Sequence, residues 1–138
     1  MELFPVEAGN FKLDGGAMFG VVPKTLWRKT NPTDSKNRIE MASRCLLVSY
    51  EDRLILIDCG MGNKQSEKFF SHFGRFGPYD LLSSLKKRGV DPSEITDVFF
   101  THLHFDHCGG AIIRKGAVSY THLRAHETGR NLVCRHLL

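Results

Sequence analysis

Four side chains that can bind metal ions lie within six residues of one another, and this cluster constrains the fold more than any other part of the sequence. Neutral imidazole and carboxylate are ligands that suit zinc and related first-row ions. The cluster directly follows an apolar run at residues 95–100, a pattern typical of a buried strand. The sequence therefore predicts a strand whose carboxyl end leads into four candidate ligands, which are His102, His104, Asp106 and His107.

The spacing of these residues indicates two pairs of ligands. His102 and His104 are two residues apart, so in extended backbone they point to the same side. Asp106 and His107 come after the end of the predicted strand, where the chain can turn and offer a second pair. Two pairs at this spacing predict two adjacent metal ions, an arrangement that holds a water molecule and an attacked group together. A chance set of polar loop residues is the weaker interpretation at this density.

Hydrophobic patterning predicts the elements around the cluster. Apolar runs predict short strands at 2–8 and 11–14, separated by a turn at Gly9-Asn10, and a hairpin of central strands at 42–50 and 53–58. Amphipathic stretches predict helices at 64–73 and 80–88. Residues 17–39 are expected to be mostly loop. The apolar side chains of this loop either pack against the sheet, which is the favoured alternative, or contact substrate; they are Met18, Phe19, Val21, Val22, Leu26 and Trp27.

Composition limits the class of protein and its partners. A chain of 138 residues with 41% hydrophobic and 25% charged residues fits one soluble domain. Its four cysteines have no paired short spacings, which favours a reducing compartment, so we expect a cytoplasmic protein. No apolar stretch is long enough to cross a bilayer, and the first residues do not resemble a signal peptide. The net charge of +4 is modest and scattered, so neither a membrane nor a nucleic-acid partner is expected.

The motif His102-x-His104-x-Asp106-His107, preceded by Thr101 and followed by two glycines, resembles the signature of the metallo-β-lactamase-fold hydrolases. Residues 54–60 resemble the strand-Asp-x-Gly segment of that family, and with residues 14–20 the likeness covers roughly residues 1–117 and is strongest to the lactonase-like branch. The resemblance implies an α/β (α+β) fold, in which this chain forms the N-terminal half of an αββα sandwich with a dinuclear metal site at one edge.

The resemblance also implies roles for individual residues. His102 and His104 would bind the first of two zinc ions, and Asp106 and His107 the second. Asp106 would also accept a proton from the bridging water, which makes it the expected catalytic residue. A metal-bound hydroxide would then attack the ester or lactone carbonyl of a small-molecule substrate. Asp58 would orient the metal-binding loop, with a plain turn-capping role as the alternative.

Other functions stay open at this point. The same metal motif occurs in thioesterases of the glyoxalase II type and in phosphotriesterases. Two non-hydrolytic alternatives are a di-iron redox protein and a metal-free interaction module, although four intact ligand positions argue against the second. The commonest class B β-lactamases usually lack a histidine at the position of His107, which counts against that activity. The oligomeric state is left open.

The end of the chain resembles something other than protein-coding sequence. Residues 118–128 are similar, residue for residue, to a reading frame through the transposase adapter used in short-read library preparation. We therefore expect a truncated metallo-β-lactamase-like domain at 1–117 and a non-native tail at 118–138. The tail histidines His122, His126 and His136 are excluded as ligands for that reason. The family supplies further ligands from its C-terminal half, so we expect the full-length protein to be active and this chain to be inactive.

Overall fold

The chain alternates strands and short helices in the computed structural model, which describes residues 1–115 and 118–121. The strands are β1 (Glu2–Asp14), β2 (Arg38–Tyr50), β3 (Arg53–Ile57), β4 (Asp97–Phe99), β5 (Ile112–Lys115) and β6 (Val118–Thr121). The helices are α1 (Gly15–Phe19), α2 (Lys24–Trp27), α3 (Glu67–Phe73), α4 (Leu81–Lys87) and α5 (Phe105–Cys108), with single 3-10 turns at Pro92–Glu94 and Gly109–Ala111. The mixed α/β class expected from the sequence is confirmed.

The main sheet has the order β1-β2-β3-β4. β1 pairs with β2 and β2 with β3 in antiparallel fashion, which confirms the predicted hairpin of central strands. β3 and β4 are parallel, so the chain must cross over between them, and the crossover carries α3 and α4. Because the two strands are parallel, their carboxyl ends lie at the same edge of the sheet. The segments that follow β3 and β4 therefore meet.

β1 differs from the prediction of two short strands around a turn. It is one strand of 13 residues that pairs with β2 along its length, and its register shifts between Glu7 and Gly9. Gly9 has φ +128°, a conformation that side chains other than glycine rarely adopt. The extra residue is Ala8, so Ala8 and Gly9 form a bulge within a continuous strand, and the predicted turn at Gly9-Asn10 is wrong.

Two hydrophobic clusters hold the helices against the sheet. Leu47, Leu56, Leu85 and Ile95 are fully buried in the first cluster, in which α4 covers the sheet. The second cluster contains Phe11, Met61 and Phe70, and three half-buried phenylalanines of α3 and α5 pack against it; these are Phe69, Phe73 and Phe105. The second cluster places α3 beside the helix that carries two of the candidate ligands.

α3 and α4 each begin where a polar side chain caps the helix. The predicted helix at 64–73 starts only at Glu67, because the Ser66 side chain accepts a hydrogen bond from the Phe69 amide at 3.2 Å. The predicted helix at 80–88 spans Leu81–Lys87. Residues 17–39, expected to be mostly loop, contain the short helices α1 and α2. Propensity alone gives the position of α3 and α4, but the capping side chains fix their first residues.

Removal of the cap of α4 is expected to weaken the fold modestly. The Asp80 carboxylate accepts hydrogen bonds from the Ser83 amide at 2.9 Å and from the Ser83 hydroxyl at 2.8 Å. Asp80→Ala should lower the free energy of unfolding by about 1 kcal/mol, measured by urea titration. Asp80→Asn is the matched control, since asparagine caps helices about as well, and it should stay within about 0.5 kcal/mol of the wild type. Equal losses in the two variants would show that the negative charge, rather than the cap, stabilises α4.

The end of the chain is only partly covered by the structure. Val118–Thr121 form β6, which pairs antiparallel with β5. The rest of the predicted non-native tail, residues 122–138, lies outside the described residues, so that tail stays a prediction. Among the helices formed by the described residues, none has the length and apolar character needed to cross a membrane.

Candidate metal centre

The candidate ligands lie where the segments after β3 and β4 run side by side. The Asp58 amide donates to the Phe99 carbonyl at 2.9 Å, and the Cys59 amide donates to the His107 carbonyl at 2.7 Å. The Gly110 amide continues this contact by donating to the Gly60 carbonyl at 2.9 Å. Backbone hydrogen bonds therefore fix the loop that carries the candidate ligands to the turn that follows β3.

The structure brings the four predicted ligands close together. The rings of His102 and His104 are perpendicular, with their centroids 4.6 Å apart, and the rings of His102 and His107 are 4.0 Å apart. Nε2 of His107 lies 3.6 Å from Oδ2 of Asp106. His102 and His104 precede α5, and Asp106 and His107 are part of it. The turn of α5 thus places His107 next to His102.

Asp58 is the only charged residue among the described residues that is buried, with 7% of its surface exposed. Its carboxylate accepts hydrogen bonds from the Thr101 amide (2.9 Å), the Thr101 hydroxyl (2.7 Å) and Nδ1 of His107 (2.8 Å). Burial raises the pKa of Asp58, but the hydrogen bonds from His107 and Thr101 lower it by more, so the pKa lies below its usual value. The group is therefore an ionised carboxylate at neutral pH.

Asp106 and His107 are separated by a distance that suits two ligands of one metal ion. Two ligands that each lie 2.0–2.2 Å from a tetrahedral zinc are roughly 3.4 Å apart. The separation of Nε2 of His107 and Oδ2 of Asp106, 3.6 Å, is close to that value. Among the described residues, however, no group of three or more His, Cys, Asp or Glu side chains is placed to hold an ion. Within the described residues, the separation of Asp106 and His107 thus suits a shared ion, and no third donor is placed beside them.

The cysteines near the site do not extend the ligand set. Cys59 is 1% exposed, and burial raises the pKa of its thiol, which disfavours the thiolate that zinc requires. The thiol of Cys108 lies 3.5 Å from the Leu103 carbonyl, to which it donates.

Two features of the site had no role in the sequence-based prediction. Thr101 was identified only as the residue before the motif, yet its hydroxyl links Asp58 to Nδ1 of His102, which is 3.1 Å away. The aromatic residues of α3 were predicted only as an apolar stripe. Phe105 contacts two of them, with ring centroids 5.2 Å from Phe69 and 4.5 Å from Phe73. The parallel pairing of β3 and β4, which the sequence did not reveal, is the signal that would have brought Thr101 to Asp58.

The apolar side chains of the loop at 17–39 divide into packed and exposed ones. Trp27 is buried and stacks on Phe19 with ring centroids 4.9 Å apart, so these two side chains pack against the protein. The others are exposed, among them Val21 completely and Leu26 at 57%. The exposed ones are Met18, Val21, Val22 and Leu26.

A cleft of about 400 Å³ opens between β1 and the segments at 61–63 and 75–82. Ser43, Gly62 and Gly110 line part of it, and the Ser43 hydroxyl donates to the Asp106 carbonyl at 3.4 Å. None of the four candidate ligands lines this cleft. It therefore neighbours the backbone that supports the site but does not contain the site.

The chain is similar to known proteins in sequence and in fold. Residues 38–132 match the profile of the family described as the Metallo-beta-lactamase superfamily, a match that extends into the predicted tail. A crystal structure of a probable metal-dependent hydrolase from Staphylococcus aureus is 37% identical, with a TM-score of 0.76. AidC, a dizinc quorum-quenching lactonase solved with the product N-hexanoyl-L-homoserine, is 32% identical, with a TM-score of 0.60.

A curated relative, the N-acyl homoserine lactonase AiiB of Agrobacterium fabrum, is 27% identical over 78% of this chain. The two solved structures match over 82% and 81% of the chain. The matched part is 42% of AiiB, 41% of the Staphylococcus aureus protein and 36% of AidC. The chain thus spans about two fifths of the length of the proteins that it resembles.

Proposed function

Because the chain belongs to the metallo-beta-lactamase superfamily, we propose that it supplies the amino-terminal half of a zinc-dependent hydrolase that opens an ester or lactone carbonyl. The observation that carries this proposal is the convergence of His102, His104, Asp106 and His107 at the sheet edge where β3 and β4 end. A buried carboxylate, Asp58, holds His107 from the opposite side of its ring.

The residues present would hold metal as two pairs, His102 with His104 and Asp106 with His107. When bound, zinc lowers the pKa of a water molecule to about 7 and polarises the carbonyl of a substrate. Asp58 keeps the His107 ring oriented, since it occupies Nδ1 and leaves Nε2 for the ion. Asp106 Oδ2, 3.6 Å from that nitrogen, would accept the proton that an attacking water gives up.

The proposed substrate is a small molecule with an ester or lactone group and an apolar chain. AiiB and AidC are lactonases, which supports this class over the alternatives. The exposed side chains of Met18, Val22 and Leu26 suit an apolar acyl group. Thioesters and phosphotriesters are the second-ranked substrates. No nucleic-acid or membrane partner is proposed, and the buried free thiols of Cys45 and Cys59 support a cytoplasmic location.

We propose further that the 138-residue chain is inactive on its own. A catalytic zinc normally has three protein ligands, whereas each pair here supplies two. Among the described residues, no group of three donors completes either position. This chain does not match more than half of the length of its relatives. The remaining ligands would come from the corresponding part of the full-length protein.

A substrate panel tests these proposals. Long-read sequencing of the source locus would provide the native continuation, from which the full-length protein can be expressed beside the 138-residue chain. With zinc, the full-length protein should hydrolyse lactones faster than thioesters, phosphotriesters or β-lactams. The 138-residue chain should hydrolyse none of them faster than zinc in buffer without protein. Turnover by the 138-residue chain at the full-length rate would overturn the proposal of inactivity.

Metal analysis of the same full-length protein separates hydrolysis from redox chemistry. We expect about two zinc ions per chain, as two pairs of ligands imply. Iron in place of zinc, together with no turnover on the panel, would favour the di-iron redox alternative. A full-length protein that binds no metal would favour the interaction module.

A further inference from the structure

We propose that the Thr101 hydroxyl is a positioning group that sets the tautomer of His102, so that Nδ1 of this ring carries the proton and Nε2 is free to bind metal. The role of Nε2 rests on the function proposed above, whereas the position of the proton follows from the apo geometry alone. The buried Asp58 carboxylate then sets the tautomer of two of the four candidate ligands. It contacts His107 directly and His102 through the Thr101 hydroxyl.

Hydrogen bonds to the Asp58 carboxylate fix the direction of the Thr101 hydroxyl proton. An ionised carboxylate can only accept hydrogen bonds. Its Oδ1 accepts from the Thr101 amide at 2.9 Å, and its Oδ2 accepts from the Thr101 hydroxyl at 2.7 Å. A threonine hydroxyl has one proton, and this short contact to a buried anion uses it.

His102 contacts the oxygen of the same hydroxyl. Its Nδ1 lies 3.1 Å from the Thr101 oxygen. Because the only hydroxyl proton points to Asp58, the oxygen can take part in this contact only as an acceptor. Nδ1 of His102 must therefore carry a proton and donate it. In a neutral imidazole one nitrogen is protonated and the other has the lone pair, so Nε2 of His102 is the unprotonated atom.

His107 has the same tautomer because it contacts Asp58 directly. Its Nδ1 lies 2.8 Å from Oδ2 of Asp58, an atom that cannot donate. Nδ1 of His107 is therefore protonated as well, and its Nε2 is the atom near Asp106. The Thr101 oxygen also lies 3.4 Å from Nδ1 of His107, because both groups donate to one carboxylate oxygen. His102 and His107, with ring centroids 4.0 Å apart, then both offer Nε2.

The consequence for metal binding is preorganisation. A metal ion needs the lone pair of the nitrogen that it binds, and the hydrogen bond to the other nitrogen decides which atom has it. Without the hydroxyl, His102 would be free to populate both tautomers, and only one of them presents Nε2. Loss of such a supporting hydrogen bond typically weakens metal affinity about 10- to 100-fold.

Nitrogen NMR of the metal-free 138-residue chain tests the tautomer directly. Protonated and unprotonated ring nitrogens differ in ¹⁵N shift, so the spectrum shows which nitrogen of each ring carries the proton. A His102→Gln variant assigns the signals. We expect protonated Nδ1 and bare Nε2 for His102 in the wild type and in Thr101→Ser, which keeps the hydroxyl. Thr101→Val, similar in size without the hydroxyl, should shift His102 toward the opposite tautomer.

The wild-type spectrum decides the proposal even if Thr101→Val fails to fold. A wild-type His102 that is protonated mainly at Nε2 would overturn it, and so would a folded Thr101→Val with an unchanged His102. Zinc affinity of the full-length protein, measured by competition with a chelating dye, should fall about 10- to 100-fold in Thr101→Val and recover in Thr101→Ser. The expected tautomer together with a full-length protein that has no affinity for zinc would count against the proposed function and leave the role of Thr101 intact.

Discussion

Replacement of Asp58 by asparagine is expected to lower the free energy of unfolding of the 138-residue chain by about 2–3 kcal/mol. Hydrogen bonds to a charged group contribute more than neutral ones, and the Asp58 carboxylate accepts three of them. An amide has one carbonyl oxygen, so its NH₂ group must face at least one of these donors. Asparagine also tolerates φ +59°, the value at Asp58, so the substitution changes the charge and the acceptor atoms without straining the backbone.

Urea unfolding measures this loss, and Asp52→Asn is the matched control. Asp52 lies exposed in the turn between β2 and β3, and its substitution should stay within about 0.5 kcal/mol of the wild type. Zinc affinity should fall about 10- to 100-fold in Asp58→Asn and not in the control. If the two variants behaved alike, Asp58 would be a plain turn cap, which is the alternative that the sequence left open.

Local patterns in the sequence were enough to predict the hairpin, α3, α4 and the convergence of the ligands. In each case the information lies within a dozen residues: an apolar run, an amphipathic stripe, or two histidines spaced by one residue. α4 illustrates this, since Leu81 and Leu85 are buried as the apolar stripe predicts, and the cations Lys86 and Lys87 lie in its last turn. The stripe also predicts an inward Leu82, which is wrong, because this side chain is 38% exposed.

Features that depend on distant parts of the chain could not be predicted in this way. Gly9-Asn10 is a turn-prone pair by local rules, but hydrogen bonding to β2 on both sides of it keeps β1 continuous. Thr101 likewise has no role in its own sequence context. It contacts Asp58, 43 residues away, only because β4 lies parallel to β3. Pairing between strands, rather than propensity, determines both outcomes.

The candidate ligands are recognisable in the sequence because all four occupy one short segment. The contacts that support this segment are spread over β3, β4 and the turn that follows β3. The support consists of two kinds of contact. One is the polar contact of Asp58 with Thr101 and His107, and the other is a close approach of backbone to backbone.

This close approach lies at Gly109 and Gly110, directly after α5. A Cβ atom on Gly110 would lie 2.0 Å from the Cys59 carbonyl oxygen and 3.0 Å from its carbon. A Cβ atom on Gly109 would lie 2.2 Å from the Met61 carbonyl oxygen. The obstacles are backbone atoms and cannot rotate away as the end of a side chain can. Glycine is therefore needed at both positions for the two segments to exchange the hydrogen bonds that hold the ligand loop.

Gly110→Ala is accordingly expected to destabilise the 138-residue chain by about 3 kcal/mol or more, at the upper end of overpacking effects. The added methyl group must separate the two segments, which stretches or breaks the 2.9 Å hydrogen bond from the Gly110 amide to Gly60. Small domains are stable by only about 5–15 kcal/mol, so a loss of this size should be visible as a lower urea midpoint or a lower soluble yield.

Gly16→Ala, in α1, is the matched control for this substitution. Its Cβ would lie 3.0 Å from the Asp14 carboxylate and 3.8 Å from the Asn37 amide nitrogen, and both are ends of side chains. We expect a change of no more than about 1 kcal/mol there, partly offset by the better helix propensity of alanine. Similar losses in the two variants would mean that the segments after β3 and β4 separate easily. The ligand loop would then depend on the Asp58 contacts alone, and Asp58→Asn should cause a larger loss of stability than Gly110→Ala.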